Sequence, residues 1–214
     1  MNKVCLLAAV SALVLTAPGN AAAERFPTNF GHAPKSAEIL YNQNSNNADW
    51  GVDSQNSTSG AFGSAGADDF VVPEKTQWTV SEIDLTGVFY NGSGGGATQN
   101  VIFYLDDHGL PGKAVKKGKF LKVSGNDDAG SYAIQLPGHG LALKPGHYWV
   151  SVSVNCSFEN CGQWEWEASS VTHGDQAVWQ GKGSKLCPTW GTLATCFGTS
   201  GDLMFDLRGK SKRK

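Results

Sequence analysis

Apolar and polar residues alternate along most of this chain, and an alternation of period two is typical of β-strands. The clearest case is 147–154, where Tyr148, Val150, Val152 and Val154 share one face. Clusters of Gly, Pro, Asn and Asp interrupt the pattern at intervals of roughly 8–15 residues, as turns do. No stretch shows a helical stripe. The pattern predicts an all-β fold, a two-sheet antiparallel β-sandwich of the jelly-roll type.

Two local details refine this prediction. Within 77–91 the apolar residues change parity at Ser81, which predicts a β-bulge there. Large aromatic side chains are the main source of core burial in a sandwich, and we expect Trp78, Trp164 and Trp166 to be buried.

The first residues have the pattern of an export signal. Lys3 precedes an apolar run at 4–15, and Ala21 to Ala23 match a cleavage site. The run is too short for a transmembrane helix, and no later segment is long enough. We therefore predict a secreted or periplasmic protein. Its predicted segments are a signal peptide at 1–23, an N-terminal strand and long polar loop at 24–66, a sandwich core at 67–209 and a basic disordered tail at 210–214.

The balance of charges bears on the kind of partner. Outside the predicted signal and tail, the chain has 12 basic and 19 acidic residues. A nucleic-acid partner requires a basic face, so no nucleic acid is expected.

Four cysteines remain after the predicted cleavage, and an even number in an exported chain indicates disulfides. Three pairings are formally possible. We favour Cys156 with Cys161 and Cys187 with Cys196, because each pair brackets a short loop. Zinc is the rival interpretation, but there is no C-x-x-C motif and no histidine at ligand spacing.

Clusters of acidic residues are the candidates for a metal site. Calcium is the possible ion, since exported sandwiches use it to hold loops together. The candidate ligands are Asp68, Asp69, Asp106, Asp107, Asp127 and Asp128. Aspartates also occupy turns for local hydrogen-bonding reasons, and this alternative stays open.

Tryptophan is abundant, with seven residues in the chain. Trp149 shares a strand face with two serines, which predicts an outer surface, and Trp50, Trp179 and Trp190 lie in turn-rich sequence. Exposed rings of this kind stack on sugar faces, so these four are the candidate ligand-binding residues. Structural packing is the alternative for each.

Enzymatic motifs are incomplete. Glu82 and Asp84 resemble the beginning of a jelly-roll glycosidase motif, but Thr86 stands where the next carboxylate is needed. Glu165 and Glu167 share one strand face, a pattern more typical of a solvated surface. The sequence thus predicts no catalytic residue.

Several segments resemble a poorly characterised family of bacterial exported accessory domains, found alone or appended to secreted proteins such as subtilisin-like proteases. The resemblance covers 67–209 and rests on 67–73 with 78–80, 109–112, 145–152, 162–166, Cys187 to Trp190 before Cys196, and 202–209. It implies a non-catalytic β-sandwich without transferable catalytic residues. The family usually lacks a pair like Cys156 and Cys161.

Together these observations favour a secreted binding module for carbohydrate or a cell-surface polymer. A structural or adhesive domain that pairs with surface proteins is the second hypothesis. A glycoside hydrolase is the third and weakest.

Overall fold

The computed structural model of the protein describes residues 37–56, 63–94 and 96–213. The predicted signal peptide lies outside the described residues. In chain order the strands are β1 (Glu38–Asn42), β2 (Asn47–Asp53), β3 (Gln55–Asn56), β4 (Gly63–Val72), β5 (Thr76–Leu85), β6 (Gly87–Tyr90), β7 (Thr98–Asp106), β8 (Pro111–Val123), β9 (Asn126–Asp128), β10 (Ser131–Gln135), β11 (Leu141–Leu143), β12 (Gly146–Asn155), β13 (Gln163–Ser169), β14 (Val178–Lys182), β15 (Gly191–Thr192), β16 (Asp202–Leu203) and β17 (Phe205–Arg213). The described residues also form two one-turn helices, α1 (Phe158–Cys161) and α2 (Leu193–Phe197).

The described strands form two larger sheets and one smaller sheet. One large sheet has the order β1-β17-β5-β10-β9, with β11 beside β5, and the other has the order β15-β14-β4-β3-β12-β7-β8. The small sheet has the order β16-β13-β2, with β6 also paired to β13. Nearly all pairs are antiparallel, and the short contact between β3 and β12 is parallel. The predicted all-β sandwich is confirmed, and the small third sheet is an addition to it.

Aromatic side chains make up much of the core, as the sequence predicted. Trp164 and Trp166 are fully buried, and Trp78 is nearly so. A buried indole needs a partner for its N–H. Trp164 donates to the carbonyl of Gly130 at 2.8 Å, and Trp166 donates to the carbonyl of Met204 at 2.8 Å.

The predicted β-bulge is confirmed. Where β5 pairs with β17, Arg208 is opposite Glu82 and Gly209 is opposite Val80. No residue of β17 therefore lies directly opposite Ser81. This extra residue reverses which side chains of β5 face the core, and it explains why Val80 and Ile83 are both buried.

The prediction of a long polar loop within 24–66 was wrong for its described part. β2, β3 and the first residues of β4 lie there. Small residues account for the difference, because they permit close packing without an apolar pattern. A Cβ at Gly51 would lie 2.7 Å from the carbonyl oxygen of Trp166, and one at Gly66 would lie 2.9 Å from Leu203.

The prediction of a disordered tail was also wrong for residues 210–213. They continue β17, and Lys210 and Arg213 are opposite Thr79 and Thr76 of β5. Backbone hydrogen bonds to a neighbouring strand hold this basic segment although its side chains are exposed.

Both predicted disulfides are present, Cys156–Cys161 and Cys187–Cys196. Helix α1 lies within the first loop, and the second disulfide holds α2 through Cys196. No helix of the described residues is long and apolar enough to cross a membrane.

Candidate functional site

A groove with a volume of about 290 Å³ lies where β2, β13, β14 and the end of α2 meet. Its aromatic lining consists of Trp50, Trp179 and Phe197. Its main polar side chains are Asp53, Gln163 and Glu165. The combination of aromatic rings with amide and carboxylate groups makes this groove the candidate functional site.

The β-strands bring the polar residues to one place. Asp53 of β2 is opposite Glu165 of β13 in the antiparallel register, so their side chains lie on the same face. Gln163 lies two residues before Glu165 and therefore shares this face. β2 is the edge strand of its sheet, and for this reason residues from both its faces, including Trp50, line the groove.

Trp179 forms the inner part of the groove. Its indole N–H donates to the carbonyl of Asp53 at 2.7 Å, and only 6% of the residue is exposed. The ring of Phe197 meets it edge to face with centroids 5.0 Å apart. Space for the indole depends on Gly181, where a Cβ would lie 2.2 Å from the Trp179 ring.

The Cys187–Cys196 disulfide places the aromatic wall. Phe197 directly follows Cys196 at the end of α2, and it is 42% exposed, so burial alone does not hold it. Thr192 caps the helix by accepting a hydrogen bond from the backbone of Thr195 at 3.2 Å. The Cys187–Cys196 disulfide and the Thr192 cap thus hold the apolar ring of Phe197 at the protein surface.

The carboxylates of the groove are only partly satisfied. Asp53 accepts a hydrogen bond from the hydroxyl of Ser64 at 2.7 Å through Oδ2, whereas its buried Oδ1 has no partner among the described residues. Gln163 donates to Glu165 at 3.3 Å. Burial raises the pKa of Asp53, and burial together with the charge of Asp53 raises the pKa of Glu165. The acceptors that the groove offers beside its rings are therefore those of the partly exposed Glu165 and Gln163.

Two of the four tryptophans predicted to bind ligand line this groove. They are Trp50, which is half-buried, and Trp179, whose ring is mostly covered. Trp190 is half-buried elsewhere and packs edge to face with Tyr104 at 6.0 Å. Phe197 and Asp53 were missed by sequence reasoning. The position of Phe197 next to a disulfide cysteine was the signal available for it.

The prediction that Trp149 lies on an outer surface was wrong, because it is fully buried. It forms a second apolar cluster with Ala67 and Val178, against which Trp190 packs. The neighbouring Ser151 is buried too, and its hydroxyl donates to the carbonyl of Gly66 at 2.7 Å. β12 is therefore covered on both faces, and its serines do not indicate solvent.

The six predicted calcium ligands do not form one site. Asp68 is buried and accepts hydrogen bonds from Gln43 at 2.5 Å and from the backbone of Leu203 at 2.6 Å. Asp107 is exposed and pairs with His108 at 2.8 Å. These contacts give Asp68 a structural role in joining β4 to β16.

Asp127 and Asp128 lie on β9, in the other large sheet from Asp69 and Asp106. Asp127 accepts a hydrogen bond from the backbone of Gly130 at 2.8 Å, which is turn chemistry. The fold brings Asp69 of β4 and Asp106 of β7 to one place. Both approach His147, a residue that sequence reasoning did not select.

A second groove, of about 350 Å³, lies over β5, β10 and β17 and contains the incomplete glycosidase motif. Asp206 of β17 is opposite Asp84, so a third carboxylate joins Glu82 and Asp84 from another strand. Arg208 pairs with Asp84 and lies 3.8 Å from Asp206. Burial raises the pKa of Glu82 and of Asp206. We therefore interpret Arg208 and these three carboxylates as a network of interacting charges.

Comparison of the chain with protein families, curated proteins and solved structures gave no match. The geometry of the groove is therefore the basis for a functional proposal.

Proposed function

We propose that this chain is a non-catalytic binding module for carbohydrate, and that sugar rings bind in the groove at Trp50 and Phe197. The observation that carries the proposal is the meeting of three aromatic rings with the polar side chains of Gln163 and Glu165 in one groove. Isolated exposed rings would not support it.

The two kinds of group match the two kinds of surface on a sugar. The C–H face of a pyranose is apolar and stacks on aromatic rings, and Phe197 offers an exposed ring. The hydroxyls donate hydrogen bonds, and Asp53, Glu165 and Gln163 supply acceptors beside the rings. Oδ1 of Asp53 is itself buried, so the acceptors that a sugar can reach are those of the partly exposed Glu165 and Gln163.

The proposal includes export from the cell. Two disulfides among the described residues support an oxidising compartment, where such bonds persist. The export signal at 1–23 and the family of exported accessory domains remain parts of this proposal.

Binding to a panel of soluble polysaccharides tests the proposal. The panel comprises β-glucan, xylan, mannan and soluble chitin fragments, each with and without calcium, measured by affinity electrophoresis and calorimetry. We expect one class to bind, and Trp50→Ala to weaken binding at least tenfold. Trp190→Ala is the matched control, because Trp190 is also half-buried but does not line the groove.

No binding to any polysaccharide by the folded protein would contradict the proposal. Equal losses in the Trp50 and Trp190 variants would also contradict it, because they would place the contact outside the groove. Near-ultraviolet circular dichroism of each variant confirms that the fold is retained.

One observation favours hydrolysis as a second candidate function. Asp53 and Glu165 are a cross-strand pair of carboxylates in the groove, and burial raises the pKa of both. A glycosidase uses two such groups, one of them protonated. Release of new reducing ends from the bound polysaccharide, abolished by Glu165→Gln, would establish this activity. Binding of the polysaccharide without release of new reducing ends would instead support a binding module.

A further inference from the structure

His147 lies within a group of carboxylates contributed by separate parts of the chain. Its Nε2 is 2.5 Å from Oδ2 of Asp69 on β4 and 4.0 Å from Oδ2 of Asp175, which precedes β14. One ligand atom from each of the three residues lies within 4.8 Å of the others. Two strands and one loop thus bring an imidazole and two carboxylates together.

Asp69 has a buried oxygen with no hydrogen-bond donor. The residue is 1% exposed, and its Oδ1 has no partner among the described residues. Leaving a buried polar atom unpaired is unfavourable, and more so for a charged group. A cation bound by the Asp69 carboxylate would offset the burial of its negative charge, because buried charges in proteins are paired or coordinate metals.

The charges around His147 are also unbalanced. Asp106 adds a third carboxylate, 3.6 Å from Nδ1 of His147. Among the described residues, no lysine or arginine nitrogen lies within 4.0 Å of Asp69, Asp106 or Asp175. A single imidazole cannot neutralise three carboxylates, so the cluster favours a further positive charge.

We propose that Asp69, His147 and Asp175 bind a divalent transition-metal ion of the zinc class. Ligand atoms at 2.0–2.2 Å from a tetrahedral ion lie about 3.4 Å apart. Nε2 of His147 lies 2.5 Å from Asp69 and 4.0 Å from Asp175, on either side of this value, and all three ligand atoms lie within 4.8 Å of one another, so side-chain adjustment accompanies binding. Imidazole nitrogen is a good ligand for zinc, whereas calcium prefers six to eight oxygens.

The surroundings provide the remaining parts of such a site. Asp106 faces the second nitrogen of His147, which is the common way in which a carboxylate orients a metal-binding imidazole. Asp106 is itself held by the indole N–H of Trp149 at 2.9 Å. Asp175 is half-exposed, which leaves a path from solvent and a position for water on the ion.

The backbone around Asp69 leaves room for the ligands. Gly174 has a φ of +85°, and a Cβ there would lie 2.5 Å from Oδ2 of Asp69. The loop before β14 can therefore approach the carboxylate closely. Binding of the ion joins this loop to β4 and β12, so its first effect is on stability.

Calorimetric titration of the full chain without an affinity tag, first stripped with chelator, tests the site with Zn²⁺, Ca²⁺ and Mg²⁺. We expect Zn²⁺ to bind with one ion per chain and to raise the melting temperature. Co²⁺ in place of Zn²⁺ is expected to give the visible absorption of a four-coordinate site. His147→Ala and Asp175→Asn should each weaken Zn²⁺ binding at least tenfold.

His108→Ala is the matched control, because His108 pairs with Asp107 through similar groups but is almost fully exposed. Its affinity for Zn²⁺ should equal that of the wild type. The proposal is overturned if stripped protein does not bind Zn²⁺, if Ca²⁺ binds more tightly, or if His108→Ala and Asp175→Asn lose affinity equally. Asp175 is half-exposed, so its variant should fold even if His147→Ala does not.

Discussion

Phe197 meets Trp179 edge to face with ring centroids 5.0 Å apart, one residue beyond the cysteine that closes the second disulfide. Phe197 is 42% exposed, whereas Trp179 is only 6% exposed. The pair therefore runs from the core to solvent. This arrangement leaves the apolar surface of Phe197 exposed beside Asp53.

Replacement of Phe197 should affect binding more than folding. Because the ring is half-exposed, we expect Phe197→Ala to lower the free energy of unfolding by less than about 1 kcal/mol. Binding of the polysaccharide found in the panel should weaken at least tenfold, or about 1.4 kcal/mol, in calorimetric titration. Phe158→Ala is the control, since Phe158 is 55% exposed and lies within the other disulfide loop. Equal binding by both variants would exclude Phe197 from the site.

A side chain at Gly181 should displace Trp179. We expect Gly181→Ala to destabilise the protein by about 1–3 kcal/mol through overpacking, and to shift tryptophan emission to longer wavelength. Urea unfolding followed by fluorescence measures both. Gly63→Ala on the paired strand β4 is the control, because its Cβ would be 3.6 Å from the nearest atom that the described residues place there, on Asn56. A similar loss in both variants would show that the space around Trp179 is not limiting.

The stability of chelator-treated protein should fall as pH rises from 4 to 8. Burial raises the pKa of Asp202 from 3.8 to about 7, and the nearby charge of Asp69 adds to this rise. The folded chain therefore holds this proton more tightly than the unfolded chain, and the stability present below about pH 4 is lost as pH rises through about 7. We expect a loss of roughly 1–3 kcal/mol in urea unfolding.

Asp202→Asn should flatten this dependence, because an amide does not titrate but can still accept the hydrogen bond from the backbone of His173. If the variant and the wild type lose the same stability between pH 4 and pH 8, another group is responsible.

Removal of the guanidinium from the carboxylate network on β5 and β17 should destabilise the fold. We expect Arg208→Gln to cost about 1–3 kcal/mol, less than a fully buried pair, because the Arg208 side chain is 33% exposed. The loss of stability in Arg208→Gln should be larger at pH 8 than at pH 5. At the lower pH, protonation of Glu82 and Asp206 removes negative charges that the missing guanidinium no longer balances. Chemical unfolding at both pH values measures it. Lys210→Gln, an exposed change on the same strand, should stay within about 0.5 kcal/mol.

Features that depend on neighbours in the chain could be predicted from the sequence. Alternation identified strands with a clear apolar face, such as β12 and β13, but not β2 and β3, and the change of parity at Ser81 identified the bulge. Short loops led to both cysteine pairings, because closing a short loop costs little entropy. Trp164 and Trp166 were correctly expected in the core. These features depend on period, spacing and residue size, which are properties of the chain itself.

The two candidate sites depended on contacts between distant segments. Alternation shows that Trp149 and Val150 face opposite ways, but it does not show that both faces of β12 are covered. Asp53 meets Glu165 only through the register of β2 with β13, and Asp175 reaches His147 only through the path of the loop before β14. Local period and spacing thus determined the all-β fold and its disulfides. Only tertiary packing decided which side chains share a site, because it sets long-range register and the covering of each sheet face.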